Sequence, residues 1–111
     1  MLTRSHRLST EDFNKVMSMG KASNSPLFLL RSLGGQSGVH IAAVAPSKTV
    51  KMAAARNYVR RRVYEAVHPL IPNIKNGTHA ILFSKNGAAE AAFKDISTDI
   101  KALFVKAGIM G

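Results

Sequence analysis

The chain has 111 residues and no cysteine, and its 16 Lys/Arg against 6 Asp/Glu give a formal net charge of +10. This length suits one domain over residues 1–111, and a hydrophobic content of 46% favours a folded protein over a disordered basic tail. The lack of cysteine excludes disulfides and thiolate catalysis, and it suits a reducing, cytoplasmic location. No apolar run approaches membrane-spanning length, so we expect no membrane partner. The charge indicates a polyanionic partner instead.

The first 20 residues predict a short basic arm followed by a helix. The arm comprises residues 1–7. Ser9 precedes an acidic pair, a pattern typical of a helix start, and Gly20 indicates where this helix ends. Phe13 and Met17 lie one turn apart and therefore share a face of the helix.

Apolar runs bounded by turn residues predict three strands, at residues 27–33, 39–45 and 79–84. The polar residues 23–26 predict a loop before the first of these strands. The last helix is predicted over residues 88–107, because apolar side chains recur there at helical spacing. Together with the helix described next, this order predicts an α+β sandwich in which helices cover one sheet.

Residues 52–67 predict an amphipathic helix around which the rest of the chain is organised. Apolar residues recur in it at three- and four-residue steps and form one face, which comprises Met52, Ala55, Val59, Val63, Ala66 and Val67. Pro69 disfavours the helical conformation at His68, so the helix is expected to end there and a loop to follow over residues 69–77.

The opposite side of this helix predicts an anion-binding surface. It presents Asn57, Arg60, Arg61 and Tyr64, and Arg56 lies on its flank, one turn before Arg60. Arg62 lies on the far flank, beside Tyr58 and within reach of Glu65. Guanidinium groups form paired hydrogen bonds with phosphate oxygens, and one acid cannot neutralise four arginines. The helix therefore favours binding to nucleic acid.

Residues 53–61, Ala-Ala-Ala-Arg-Asn-Tyr-Val-Arg-Arg, preceded by Ser47-Lys48, resemble the signature helix of the protein subunit of bacterial ribonuclease P. That family has Arg-Asn, two variable positions and two basic residues on a helix that follows a strand. The chain departs from the usual pattern at Tyr58 and Tyr64, where arginine is commoner, and at Lys51, where glycine is commoner. The resemblance implies that the catalytic RNA is bound by Lys48, Lys51, Arg56, Asn57, Arg60, Arg61 and Tyr64.

The resemblance also implies a fold, partners and a substrate site. The fold is a single-domain α/β sandwich of order α-β-β-(β)-α-β-α, with a third strand before the signature helix and a left-handed βαβ crossover around it. The implied partners are ribonuclease P RNA and precursor tRNA, with no protein partner required. The RNA is implied to use Mg²⁺ to remove the 5′ leader, while the protein alone binds no cofactor. Phe13 and Met17 fall where the family lines the leader cleft, between the first helix and the sheet.

The residues themselves favour binding without catalysis. Metal-dependent nucleases need clustered carboxylates, but the six acids are scattered and the four histidines show no metal-ligand spacing. A stand-alone basic RNA-binding module, such as a ribosomal protein or an RNA chaperone, is the alternative of a different class. Duplex DNA binding is a weaker one, because neither base-reading side chains nor a dimer motif is evident.

Overall fold

The computed structural model describes residues 7–111, so residues 1–6 of the predicted basic arm lie outside the described part of the chain. Its elements in chain order are α1 (Thr10–Met19), β1 (Lys21–Asn24), β2 (Phe28–Leu33), β3 (His40–Val44), α2 (Ala53–Val67), a 3₁₀ helix (His68–Asn73), β4 (His79–Ser84) and α3 (Phe93–Lys106). α1 begins as predicted, because the Ser9 hydroxyl accepts a hydrogen bond from the backbone N–H of Asp12 at 3.1 Å.

The four strands form one sheet in the order β1-β2-β4-β3. β2 is antiparallel to both β1 and β4, whereas β3 runs parallel to β4 with Ile41 opposite Ala80. On the free side of β3, Arg7 forms a single parallel bridge with Ile41. α2 connects β3 to β4, which is the crossover that two parallel neighbours require. The predicted α+β fold class is confirmed, and the left hand of the crossover stays a prediction.

The two faces of the sheet pack against different helices. α2 and α3 cover one face, and the core there includes Phe28, Leu30, Ile41, Leu82 and Phe104. α1 lies against β2 and β4, with its Val16 fully buried. Because successive strand residues point to opposite faces, Ile81 lies on the side of α1. The sheet therefore separates the surface of α2 from that of α1.

β1 is the implied third strand, and it corrects the loop predicted over residues 23–26. Its four residues, Lys-Ala-Ser-Asn, are mostly exposed and show no apolar alternation. They form a strand because they pair with β2, with Lys21 opposite Ser32 and Asn24 opposite Leu29. Gly20 permits the tight turn into β1, since a Cβ there would lie 2.5 Å from the backbone oxygen of Val16.

The last helix begins at Phe93, five residues later than predicted. Residues 88–90 belong to a turn and Ala91 forms a bend, although alanine favours helix, and this turn places Ala88 fully buried in the main core. Ala92 is extended, with ψ at 150°, and forms the N-cap of α3. Packing of one small side chain thus overrides a weak helical preference.

The prediction that α2 ends near Pro69 is confirmed, but the expected reason is wrong, because His68 keeps a helical conformation (φ −48°, ψ −51°). The loop predicted to follow is in part a 3₁₀ helix. This helix, His68–Asn73, contains both Pro69 and Pro72. Proline fits because a short 3₁₀ segment needs few backbone donors. None of the helices within residues 7–111 is long and apolar enough to cross a membrane.

Candidate nucleic-acid interface

α2 is attached to the protein by one side, as its sequence predicts. Val59, Val63, Ala66 and Val67 are buried in the main core. The prediction that Met52 belongs to the same face is wrong: this residue lies at the N-cap, before the first helical turn, and is 71% exposed. The remaining helix surface is free to meet a partner.

Four of the seven predicted RNA-binding residues lie together on that surface. They line an open depression of about 420 Å³, formed by Asn57, Arg60, Arg61, Tyr64 and Glu65. Arg60 donates a hydrogen bond through Nη2 to Oδ1 of Asn57, which fixes the position of both side chains. Among the residues described, neither Arg60 nor Arg61 forms an ion pair with an acid. Their positive charge is therefore available to an external anion.

Tyr64 anchors the depression to the sheet. Its hydroxyl accepts a hydrogen bond from the backbone N–H of Ala43, on β3, at 3.0 Å. The ring is half-buried against the main core, so it lies between the arginines and the end strand of the sheet. A residue that departs from the usual family pattern thus has a structural role here.

Arg56 is directed away from the depression, toward the loop that enters α2. Its Nη1 donates to the backbone oxygens of Val50 at 3.1 Å and Lys51 at 2.8 Å. These bonds hold residues 50–51 against the first turn of the helix, which has no side-chain cap. Arg56 therefore braces the loop, and a contact of this side chain with RNA stays a prediction.

The two predicted lysines lie outside the depression as well. Lys48 and Lys51 are exposed in the loop between β3 and α2. Lys51 lines a separate hollow of about 250 Å³ that includes Glu90. The structure thus brings Asn57, Arg60, Arg61 and Tyr64 together, and places Lys48, Lys51 and Arg56 toward the N-terminal end of the same helix.

The far flank of α2 differs from the prediction in one respect. Glu65 lines the depression with Arg60 and Arg61, instead of pairing with Arg62. The Arg62 guanidinium carbon lies 5.0 Å from the centre of the Tyr58 ring, so the predicted proximity of these two residues is confirmed. It also lies 5.5 Å from the ring of Phe93, at the start of α3.

On the other face of the sheet, α1 lies against β2 and β4, where the leader cleft is predicted; we call this surface the groove beside α1. Phe13 is half-buried and Met17 is 40% exposed, and neither belongs to the main core. Val44 and Phe83 are half-buried on the same face of β3 and β4. This surface therefore carries partly exposed apolar side chains, and its role as a leader cleft stays a prediction.

Arg31 is a residue of this groove that the sequence did not single out. Its Nη2 donates to the backbone oxygens of Met17 at 2.9 Å and Gly20 at 3.0 Å. These bonds satisfy carbonyls at the C-terminal end of α1, where no helical partner is available. Arg31 lies within an apolar run, and a charged residue there was a signal of a polar contact, although it does not identify the acceptors.

The chain is similar to known proteins in three comparisons. A family model described as Ribonuclease P matches residues 2–108. The chain belongs to the ribonuclease P protein family. A ribonuclease P protein component of Gluconacetobacter diazotrophicus is 33% identical, with 100% of this chain and 98% of the relative covered. One from Roseiflexus castenholzii is 28% identical, with 98% of this chain and 91% of the relative covered.

Solved structures of ribonuclease P proteins share the fold. The protein from Staphylococcus aureus superimposes with a TM-score of 0.84 at 14% identity, covering 97% of this chain and 100% of that one. The protein from Thermotoga maritima gives a TM-score of 0.78 at 20% identity, covering 90% of this chain and 96% of that one. Membership of the ribonuclease P protein family favours the role of a ribonucleoprotein subunit over the alternative of a stand-alone basic module.

The described acids of this ribonuclease P protein do not form a metal site, and one of them, Asp99, has a structural role. Within residues 7–111, no group of three or more His, Asp or Glu side chains is placed to hold a metal ion. Asp99 accepts hydrogen bonds from the Ser25 hydroxyl at 2.5 Å and from the backbone N–H of Leu27 at 3.2 Å. It therefore ties α3 to the turn between β1 and β2.

Proposed function

We propose that this protein is the RNA-binding subunit of ribonuclease P and that it acts in removing the 5′ leader of precursor tRNA. The observation that supports this most is the depression on α2, where Arg60 and Arg61 lie beside Asn57 and Tyr64 without an acidic ion-pair partner among the described residues. Guanidinium groups in this setting favour a phosphate backbone. The proposed ligand of this surface is the catalytic RNA of ribonuclease P.

The second proposed contact is with the leader of precursor tRNA. The groove beside α1 offers Phe13 and Met17 on a face of the sheet that α2 does not reach. Two surfaces on opposite faces allow the protein to hold the catalytic RNA and the leader at once. Single-stranded RNA is commonly held by bases stacked on aromatic rings, and Phe13 supplies one ring in this groove.

The protein is proposed to contribute binding and not the chemical step. A metal-dependent phosphodiester cleavage needs carboxylates arranged around cations. The described acids do not cluster, and Asp99 is engaged with the β1–β2 turn. Mg²⁺ is therefore assigned to the RNA subunit, and the protein is proposed to need neither a cofactor nor a protein partner of its own.

Reconstitution tests this function directly. Purified protein is combined with a bacterial ribonuclease P RNA and a precursor tRNA in Mg²⁺ at low salt, where the RNA alone cleaves poorly. We expect the protein to restore cleavage at the mature 5′ end, and we expect RNA-free protein to show none. A protein that binds RNA without restoring cleavage would be a stand-alone module. Cleavage by RNA-free protein would contradict the non-catalytic role.

A further inference from the structure

A cluster of two aromatic rings and one arginine lies on the flank of α2 away from the depression. The Arg62 guanidinium carbon is 5.0 Å from the centre of the Tyr58 ring and 5.5 Å from that of Phe93. Tyr58 is 42% exposed and Phe93 is 36% exposed. We call these three residues the aromatic–arginine cluster.

Packing alone does not account for this cluster. The interface between α2 and α3 is already closed by fully buried side chains, including Val63, Ile100 and Phe104. A cation–π contact at an exposed position contributes only about 0.5–1 kcal/mol. Two of the seven aromatic residues of the chain nevertheless remain at the surface here. Exposed aromatic surface beside a positive charge is typical of sites that bind single-stranded nucleic acid.

We infer that the aromatic–arginine cluster is a second RNA contact, which stacks an unpaired base of the RNA bound by α2. The inference rests on the proposed function. Tyr58 and Phe93 stay partly exposed beside the guanidinium, so part of each ring is accessible to a stacking base. Arg62 forms no ion pair with an acid among the described residues, so its guanidinium, held beside the two rings, is available to a stacked base.

The position of the aromatic–arginine cluster on α2 indicates what it adds to the RNA contact proposed at the depression. Arg60 and Arg61 lie on one flank of α2, and the aromatic–arginine cluster lies on the other. A strand that follows the exposed side of the helix meets phosphate-binding groups first and a stacking surface next. The partner is single-stranded RNA, because the strongly basic chain favours a polyanion and the rings favour a base that is not already paired.

A tryptophan reporter tests the inference, because the chain contains no tryptophan of its own. Phe93→Trp places an indole in the cluster, and Val105→Trp places one on the exposed side of α3 as a matched control. Both variants are titrated with a bacterial ribonuclease P RNA. We expect saturable quenching of the indole in Phe93→Trp and none in Val105→Trp. An unquenched indole in an RNA-bound Phe93→Trp protein overturns the inference.

Affinity provides the second measurement. Tyr58→Leu removes the ring and keeps an apolar side chain, and we expect it to weaken RNA binding roughly 5- to 160-fold, as loss of one stacked base would. Tyr58→Phe should retain nearly the wild-type affinity. A folded Tyr58→Leu protein with wild-type affinity overturns the inference. Wild-type protein that neither binds nor activates the RNA contradicts the proposed function itself, so the two failures are distinguishable.

Discussion

Replacing Arg60 or Arg61 by alanine removes one charge from the depression on α2 and leaves the core face of the helix intact. Each phosphate contact contributes about 0.7–0.9 to the slope of log K against log salt concentration. If about six phosphates are contacted, the wild-type slope is roughly −4 to −5. Either substitution should flatten this slope by nearly one. Over a fourfold range of salt, the affinity of the variant should then fall about threefold less than that of the wild type.

The assay is equilibrium binding to a labelled ribonuclease P RNA between about 50 and 200 mM salt. Arg62→Ala is the matched comparison, since it removes the same charge from the same helix at a residue held by two rings. We expect it to weaken binding while it changes the slope less than Arg60→Ala does. Equal flattening for Arg60, Arg61 and Arg62 would refute the division of α2 into two flanks.

The other two predictions concern the leader groove and the loop before α2. Phe13→Ala should weaken binding of precursor tRNA to the holoenzyme without affecting mature tRNA, and Met17→Phe should strengthen the leader-dependent part, because a ring stacks better than a thioether. Arg56→Ala should lower the free energy of unfolding by about 1–2 kcal/mol, since two hydrogen bonds to the loop are lost. Thermal melting and denaturant titration measure that change.

Each of these variants needs its own control. Phe13→Ala must first be shown to fold by circular dichroism, because loss of a packing residue would imitate a loss of leader binding. A folded Phe13→Ala protein with the wild-type ratio of precursor to mature tRNA affinity would assign Phe13 to packing alone. For Arg56, the control is Arg56→Lys, which keeps the positive charge but lacks the planar guanidinium that donates to both backbone oxygens. Wild-type stability in Arg56→Ala would show that the loop does not depend on these bonds.

The elements that the sequence predicted well are those whose pattern is local. β4 was predicted with its observed bounds, because a continuous apolar run describes a strand buried on both faces. The buried side of α2 followed from helical spacing of its valines. β1 could not be predicted in the same way, since four polar residues become a strand only by pairing with β2. Ala88 likewise delays α3 through a long-range contact that composition does not reveal.

The same distinction applies to the candidate site. Asn57, Arg60, Arg61 and Tyr64 are close in sequence, and helix geometry was enough to place them on one side. Phe93 joins Arg62 from another helix, 31 positions later, so no spacing rule could pair them. The hydrogen-bond acceptors of Arg56 and Arg31 could not be predicted either, because they are backbone oxygens, which carry no signal in a sequence.

The hydrogen bond between Tyr64 and Ala43 has a consequence for the protein before it meets RNA. β3 is the last strand of the sheet, and an unprotected last strand can pair with the same strand of another copy. Here the Tyr64 hydroxyl accepts the hydrogen bond of the Ala43 N–H. The β-bridge with Arg7 covers the same edge two residues earlier, at Ile41. The helix proposed to bind RNA thus also covers part of the exposed edge of β3, and we expect substitutions at Tyr64 to affect both RNA affinity and self-association.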